Sequence, residues 1–80
     1  MEPSPVLYLG NLDSRVDRRH LYELGVQAGP VKDVRTTGKG FGFIEYTEIE
    51  HCTYALALFK DSVSLYGRPV RFDYGSRGRG

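Results

Sequence analysis

The sequence contains no tryptophan, one cysteine and one methionine, and its charges nearly cancel. A lone thiol, Cys52, cannot close an internal disulfide, a pattern that suits a reducing compartment such as the cytosol or nucleus. No apolar run approaches the roughly 20 residues needed to span a bilayer. The opening Met1-Glu2-Pro3-Ser4-Pro5 has neither the basic nor the apolar segment of a secretory signal. A formal net charge of +1 speaks against a strongly electrostatic nucleic-acid binder, which shows a clearly basic face. Any such reading must rest on where individual charges and rings are placed.

Rings are what the chain does have: six Tyr and four Phe in 80 residues. That length makes one domain, burying only about 60–65% of its unfolded surface, so the core is thin and the loops must be short. Met1 to Pro5 reads as an extended or frayed lead-in. Val6 to Gly10 is a short β-favouring run. Asp17 is placed to cap a helix from about Arg18 to Ala28, with Leu21, Leu24 and Ala28 on one face; Gly29-Pro30 ends it.

Val31 to Arg35 and Gly40 to Tyr46 read as strands joined by a hairpin over Thr36-Thr37-Gly38-Lys39, with Gly38 free to take positive φ. A second helix is expected from Glu48 or Ile49 to Phe59, burying Ile49, Cys52, Ala55, Leu56 and Phe59. Ser64 to Gly67 is a turn or short strand, and Pro69 to Tyr74 a last strand with Pro at its first residue. The polar tail from Gly75 to Gly80 ends in Arg-Gly-Arg-Gly.

The order β-α-β-β-α-β predicts an α+β, ferredoxin-like fold: a four-stranded antiparallel sheet with both helices packed on one face. The other face stays open. Side chains alternate along a strand, so Gly42, Ile44 and Tyr46 share one side while Lys39, Phe41, Phe43 and Glu45 share the other. If Ile44 faces the helices, Phe41 and Phe43 face solvent. Leu7 and Leu9 likewise point opposite to Tyr8. Three exposed rings are costly unless something covers them, and stacking a base on a ring is worth roughly 1–3 kcal/mol. Gly40 and Gly42 are expected to keep the strand clear beside the rings, and Lys39 leads into them.

Leu7-Tyr8-Leu9-Gly10-Asn11-Leu12 resembles the RNP2 hexamer of RNA-recognition motifs, and Lys39-Gly40-Phe41-Gly42-Phe43-Ile44-Glu45-Tyr46 resembles their RNP1 octamer at every specified position. The resemblance runs from Val6 to Tyr74. Leu21-Tyr22-Glu23-Leu24, Gln27-Ala28-Gly29-Pro30 and Leu65-Tyr66-Gly67-Arg68-Pro69 are similar to a nuclear subgroup. It holds the RRM subunit of the nuclear exosome targeting complex and the small RRM subunit of splicing factor 3b.

The resemblance implies single-stranded RNA as ligand, in nuclear RNA processing, splicing or exosome-linked decay. Tyr8 and Phe43 would each stack a base, Phe41 would pack on ribose, and Lys39 would meet phosphate. Asn11, Arg35 and Arg71 are secondary contacts. It also implies a protein partner, including proline-rich segments, on the helical side. Tyr22 with Val26, and Tyr54 with Leu58, spaced i,i+4, are the candidate patch. A monomer is expected in isolation.

Two departures stand out. Gly25 takes the place of a Phe usual in the helix-one core, leaving ring-sized volume, so either helix one is looser or a neighbour such as Phe59 or Phe72 shifts inward. The hairpin is shorter than the usual basic loop, so fewer nucleotides should be gripped. On the open face Arg35, Lys39 and Arg71 are matched by Asp33, Glu45 and Asp73, which predicts micromolar or weaker binding with a shallow salt dependence. Any sequence preference is expected to be modest and to lean to pyrimidines.

Other chemistries fit poorly. The glycines at 38, 40 and 42 lead into a strand rather than a helix, unlike a nucleotide-binding loop. His51 and Cys52 are helix neighbours about 100° apart, with no further ligand cluster, so no metal is expected. No nucleophile–base–orienter set is visible, and no enzyme or cofactor is expected; the loop after strand one offers an anion only Arg15.

Overall fold

A computed structural model of the chain describes residues 3–75, so the Gly/Arg tail beyond Gly75, with Arg77 and Arg79, lies outside the described residues. The elements are β1 (Val6–Gly10), α1 (Arg18–Gly25), β2 (Val31–Thr36), β3 (Phe41–Tyr46), α2 (Ile49–Phe59), β4 (Ser64–Leu65), β5 (Arg68–Pro69) and β6 (Arg71–Tyr74). Four strands pair in the order β2-β3-β1-β6, every pair antiparallel. α1 lies against β2 and β3, and α2 against β1, β3 and β6. Both helices therefore sit on one side, over a core that includes Leu7, Leu9, Leu21, Ile44, Tyr46 and Cys52. This is the ferredoxin-like arrangement expected from the element order.

α1 starts where Asp17 allows. The Asp17 carboxylate accepts from the His20 backbone N–H (3.2 Å), and His20 Nδ1 accepts from the Asp17 N–H (3.0 Å). Two otherwise unpaired donors are satisfied reciprocally, with His in the role Glu or Gln usually takes. The helix stops at Gly25, short of the expected Ala28. The Gln27 and Ala28 N–H groups reach back only three residues, to Leu24 and Gly25, so the chain tightens into a turn before Gly29-Pro30. Ala28 is still buried.

The volume beside Gly25 is not filled by Phe59 or Phe72, which pair with each other at 5.6 Å. Ile44 and Val31 close it: a Cβ on Gly25 would lie 3.0 Å from Ile44 Cγ2 and 3.2 Å from Val31 Cγ2. The buried Tyr46 hydroxyl donates to the Gly25 carbonyl at 2.8 Å, pinning the helix end to β3.

Two further expectations are corrected. Ile49 is 45% exposed rather than core, because the buried stripe of α2 is Cys52, Ala55 and Phe59. Thr53, one turn after Ile49, meets the Tyr74 hydroxyl at 2.7 Å, which turns that side of α2 to the sheet margin. The last strand also starts later than Pro69. Pro69 pairs with Ser64 and Arg68 with Leu65, in a separate hairpin turned by Tyr66 (φ 53°) and Gly67 (φ 76°). Pro has no N–H to give the main sheet, and the Val70 N–H is used on Val63 O (3.0 Å). The lead-in is not frayed at its described end. Pro5 O accepts from the Tyr46 N–H (2.8 Å), and the Ser4 hydroxyl lies 2.8 Å from Gly75 O.

Candidate nucleic-acid interface

The register stacks the open-face residues into rows across the sheet. One row reads Arg35, Phe43, Tyr8, Asp73 over β2, β3, β1 and β6; the next reads Phe41, Gly10, Arg71. Behind them lie Asp33, Glu45 and Val6. Ile44 and Gly42 are buried, whereas Tyr8, Phe41 and Phe43 are half-buried on the helix-free side. The orientation of β3 expected from alternation is thus the one observed.

The three rings form one cluster. Centroid separations are 5.8 Å for Tyr8–Phe43, 6.1 Å for Tyr8–Phe41 and 5.9 Å for Phe41–Phe43, the last pair nearly perpendicular at 88°. Edge-to-face contact of this kind is favourable between rings and fixes their planes. A cluster of fixed rings offers π-faces to stacking bases without further ordering.

The glycines divide their work in an unforeseen way. Gly42 does not clear space for a base. It faces inward, and a Cβ there would meet Arg35 O at 2.7 Å and Leu21 Cδ1 at 2.9 Å, so its smallness lets α1 and β2 close on β3. Gly10 is the one that shapes the open face: the Tyr8 ring leans over it, with the hydroxyl 2.6 Å from where a Cβ would stand. Gly38 (φ 75°) and Gly40 (φ 94°) turn the short hairpin, closed by Thr37 bonds to Phe41 O. A Cβ on Gly75 would lie 2.9 Å from Val6 Cγ1 and 3.1 Å from Phe43 Cδ1, so its absence leaves these two side chains their room. Neither Gly10 nor Gly75 was singled out by the sequence, because a missing side chain leaves no periodic signal.

Two carboxylates of the face, Asp33 and Glu45, lie beside cations. Arg35 Nε lies 3.6 Å from Asp33, and Lys32 lies 3.9 Å from Glu45. Lys39 and Arg71 are exposed at the hairpin and at the start of β6. Asn11 is built into the fold. In a left-handed conformation (φ 61°), its amide donates to Pro69 O at 2.8 Å and its oxygen accepts from Arg68 at 2.7 Å, tying the β4–β5 hairpin to the end of β1.

Arg15 is likewise committed. It makes two contacts with Asp13, at 2.9 and 3.1 Å, and lies 4.3 Å over the Tyr66 ring. The paired guanidinium holds the Asp13 carboxyl down at about 2. Tyr66 in turn meets His20 Nε2 at 3.2 Å.

The model of the RNA recognition motif family matches residues 7–71. The chain belongs to that family. It is similar to spliceosome-associated protein 49 of Schizosaccharomyces pombe, 40% identical over 81 residues, covering 92% of this chain and 24% of that protein. It is similar to human splicing factor 3B subunit 4, 38% identical over 77 residues, covering 88% of this chain and 18% of that protein. The crystal structure of RNA binding protein PG1 matches with a TM-score of 0.84 at 28% identity, over 96% of this chain and 100% of that one. The chain spans less than a quarter of the two curated relatives' length. As an RNA recognition motif the domain is a binding module, not an enzyme.

The helical side of this RNA recognition motif exposes Tyr22, Val26, Tyr54 and Leu58. Tyr22 and Val26 follow Arg18 at helical spacing, and Arg18 Nε reaches Val34 O on β2. Tyr54 and Leu58 follow His51 at helical spacing, and a Cβ on Gly29, beyond the end of α1, would lie 2.6 Å from His51 Nδ1. Ile49, Tyr54 and Ala57, rimmed by Glu48 and Glu50, line a shallow groove of about 750 Å3 on α2. Cys52 is core, and burial pushes its thiol up to about 11.

Proposed function

We propose that this domain binds single-stranded RNA by stacking bases on Tyr8 and Phe43, with Phe41 against ribose and Lys39 and Arg71 at phosphates. The observation that supports this reading is the cluster of three mutually fixed rings on the face that the helices leave uncovered. Arg35 adds a weaker contact because Asp33 shares its charge, and Asn11 contributes through the hairpin it holds. With cations matched by anions, affinity is micromolar or poorer and falls only gently with salt. The setting we infer is nuclear RNA processing, since relatives over this stretch carry spliceosomal names; exosome-linked decay is the alternative within that setting.

Titrating the chain with an oligouridylate at two salt concentrations tests the reading. Changing Phe41 and Phe43 together to Ala should cost at least about 2 kcal/mol, abolishing detectable binding, with the circular dichroism spectrum unchanged. Normal binding by the double variant places the site elsewhere.

A second reading is favoured by the exposed apolar residues of α2: a protein segment docks on the helical face. Amide-shift mapping separates the two. RNA moves Phe41 and Phe43, whereas a docked peptide moves Tyr54 and Leu58.

A further inference from the structure

The end of β6 fixes where the chain leaves the sheet. The Gly75 N–H donates to Val6 O at 2.8 Å, and Gly75 O lies 2.8 Å from the Ser4 hydroxyl. This corner is at the end of the sheet where β3 finishes at Tyr46 and leads on to α2 at Ile49. One residue earlier, the Tyr74 hydroxyl meets Thr53 on α2 at 2.7 Å. The chain beyond Gly75 therefore starts beside the first turns of α2.

Thr53 also lines the groove of about 750 Å3 on that helix. Ile49, Thr53 and Ala57 form one row at helical spacing, and Glu50 and Tyr54 the next. The Tyr54 side of the groove is open, the residue being 54% exposed. No Lys or Arg lines it. Glu48, the N-cap of α2, makes no side-chain capping bond, and neither the Glu48 nor the Glu50 carboxylate has an ion pair among the described residues. On the sheet, by contrast, Asp33 and Glu45 already have cations beside them. An apolar floor, an open phenol ring and two unneutralised carboxylates suit a guanidinium, which stacks on rings and pairs with carboxylates.

The chain itself carries such groups nearby. After Gly75 it reads Ser76-Arg77-Gly78-Arg79-Gly80. Two and four residues of extended backbone span roughly 7 and 14 Å, which brings both guanidinium groups within reach of a groove whose near edge is Thr53. A covalent tether this short gives an effective concentration in the millimolar range, enough for contacts too weak to hold a separate peptide.

We propose that the segment with Arg77 and Arg79 docks in the α2 groove of its own domain. Its guanidinium groups pair with Glu48 and Glu50, and one of them lies on the Tyr54 ring. The contact closes the groove to other segments and withholds two cations from RNA. Anything that displaces the segment returns those cations to the solvent side, so occupation of the groove and RNA affinity are linked.

The test is amide-shift mapping of the intact chain. Arg77→Ala with Arg79→Ala should shift amides from Ile49 to Ala57 and leave Tyr8, Phe41 and Phe43 in place. In a Glu48→Gln, Glu50→Gln background the same arginine replacement should move those α2 amides less than half as far. Salt near 1 M, where charges are screened beyond about 3 Å, should bring the α2 shifts of the unmodified chain toward those of the arginine variant. Oligouridylate should bind severalfold tighter to Glu48→Gln, Glu50→Gln, and the gain should vanish when both arginines are also removed. Silent α2 amides on arginine replacement overturn the docking. Movement at Tyr8, Phe41 and Phe43 instead puts the segment over the sheet and overturns it too. Equal α2 shifts in both backgrounds remove Glu48 and Glu50 as its partners. Shift differences that grow with protein concentration place the segment on a second copy and overturn docking within one chain. The shift measurements involve no RNA, so they decide the docking whatever becomes of the RNA reading.

Discussion

Gly42 is bonded to Phe41 and Phe43, and Gly10 lies two residues after Tyr8, yet the same added methyl group meets different things at the two positions. At Gly10 it meets the tip of the Tyr8 side chain, which can swing away; at Gly42 it meets the backbone of β2, which cannot. Gly42→Ala should therefore destabilise by about 1–3 kcal/mol through overpacking. Gly10→Ala should leave the melting temperature nearly unchanged while weakening oligouridylate binding severalfold, because the ring loses its seat. Thermal melts and one titration series check the pair, and the reverse pattern would refute the assignment. Alternation along β3 made the outward rings legible beforehand. It did not reveal what each glycine faces, because that depends on how closely neighbouring chains approach.

At the scale of elements, the start of α1 was readable because a cap is local: Asp17 and His20 are three residues apart and bond each other. Removing the carboxylate with Asp17→Ala should cost about 1 kcal/mol, read by urea denaturation, and Asp17→Asn should recover most of it. The end of α1 and the buried stripe of α2 were less legible. Ile49 fits a helical stripe by spacing, but the docking of Thr53 on Tyr74 decides which side of α2 faces the sheet. The split of the last strand into β5 and β6 follows from Pro69 and from Asn11 reaching 58 residues along the chain, neither of which a short window displays.

For the whole molecule, the sequence pattern sufficed for the layer arrangement because two helices and four strands leave few ways to bury one core. The core also carries a pH signature. Cys52 keeps its proton up to about 11 when folded, against 9.0 ordinarily, because burial penalises the thiolate. A raised value means the folded chain binds the proton more tightly, so stability is full below pH 9 and declines as pH rises toward 11. Burial pushes the Tyr46 phenol in the same direction, extending the loss to higher pH. Melts across this range should show the decline, and Cys52→Ala should flatten its lower part; an unchanged slope in that variant would remove Cys52 as the cause.

Ser4 and Gly75 meet at one corner, and β1 and β6, which follow and precede them, run side by side in opposite directions. Tension applied through these two points would load the β1–β6 ladder one rung at a time, from the Gly75–Val6 bond inward, and not all rungs at once. Under force the domain should behave as a zipper: β6 peels first, taking Asp73 and Arg71 off the open face, while Phe41, Phe43 and Tyr8 stay joined on β3 and β1.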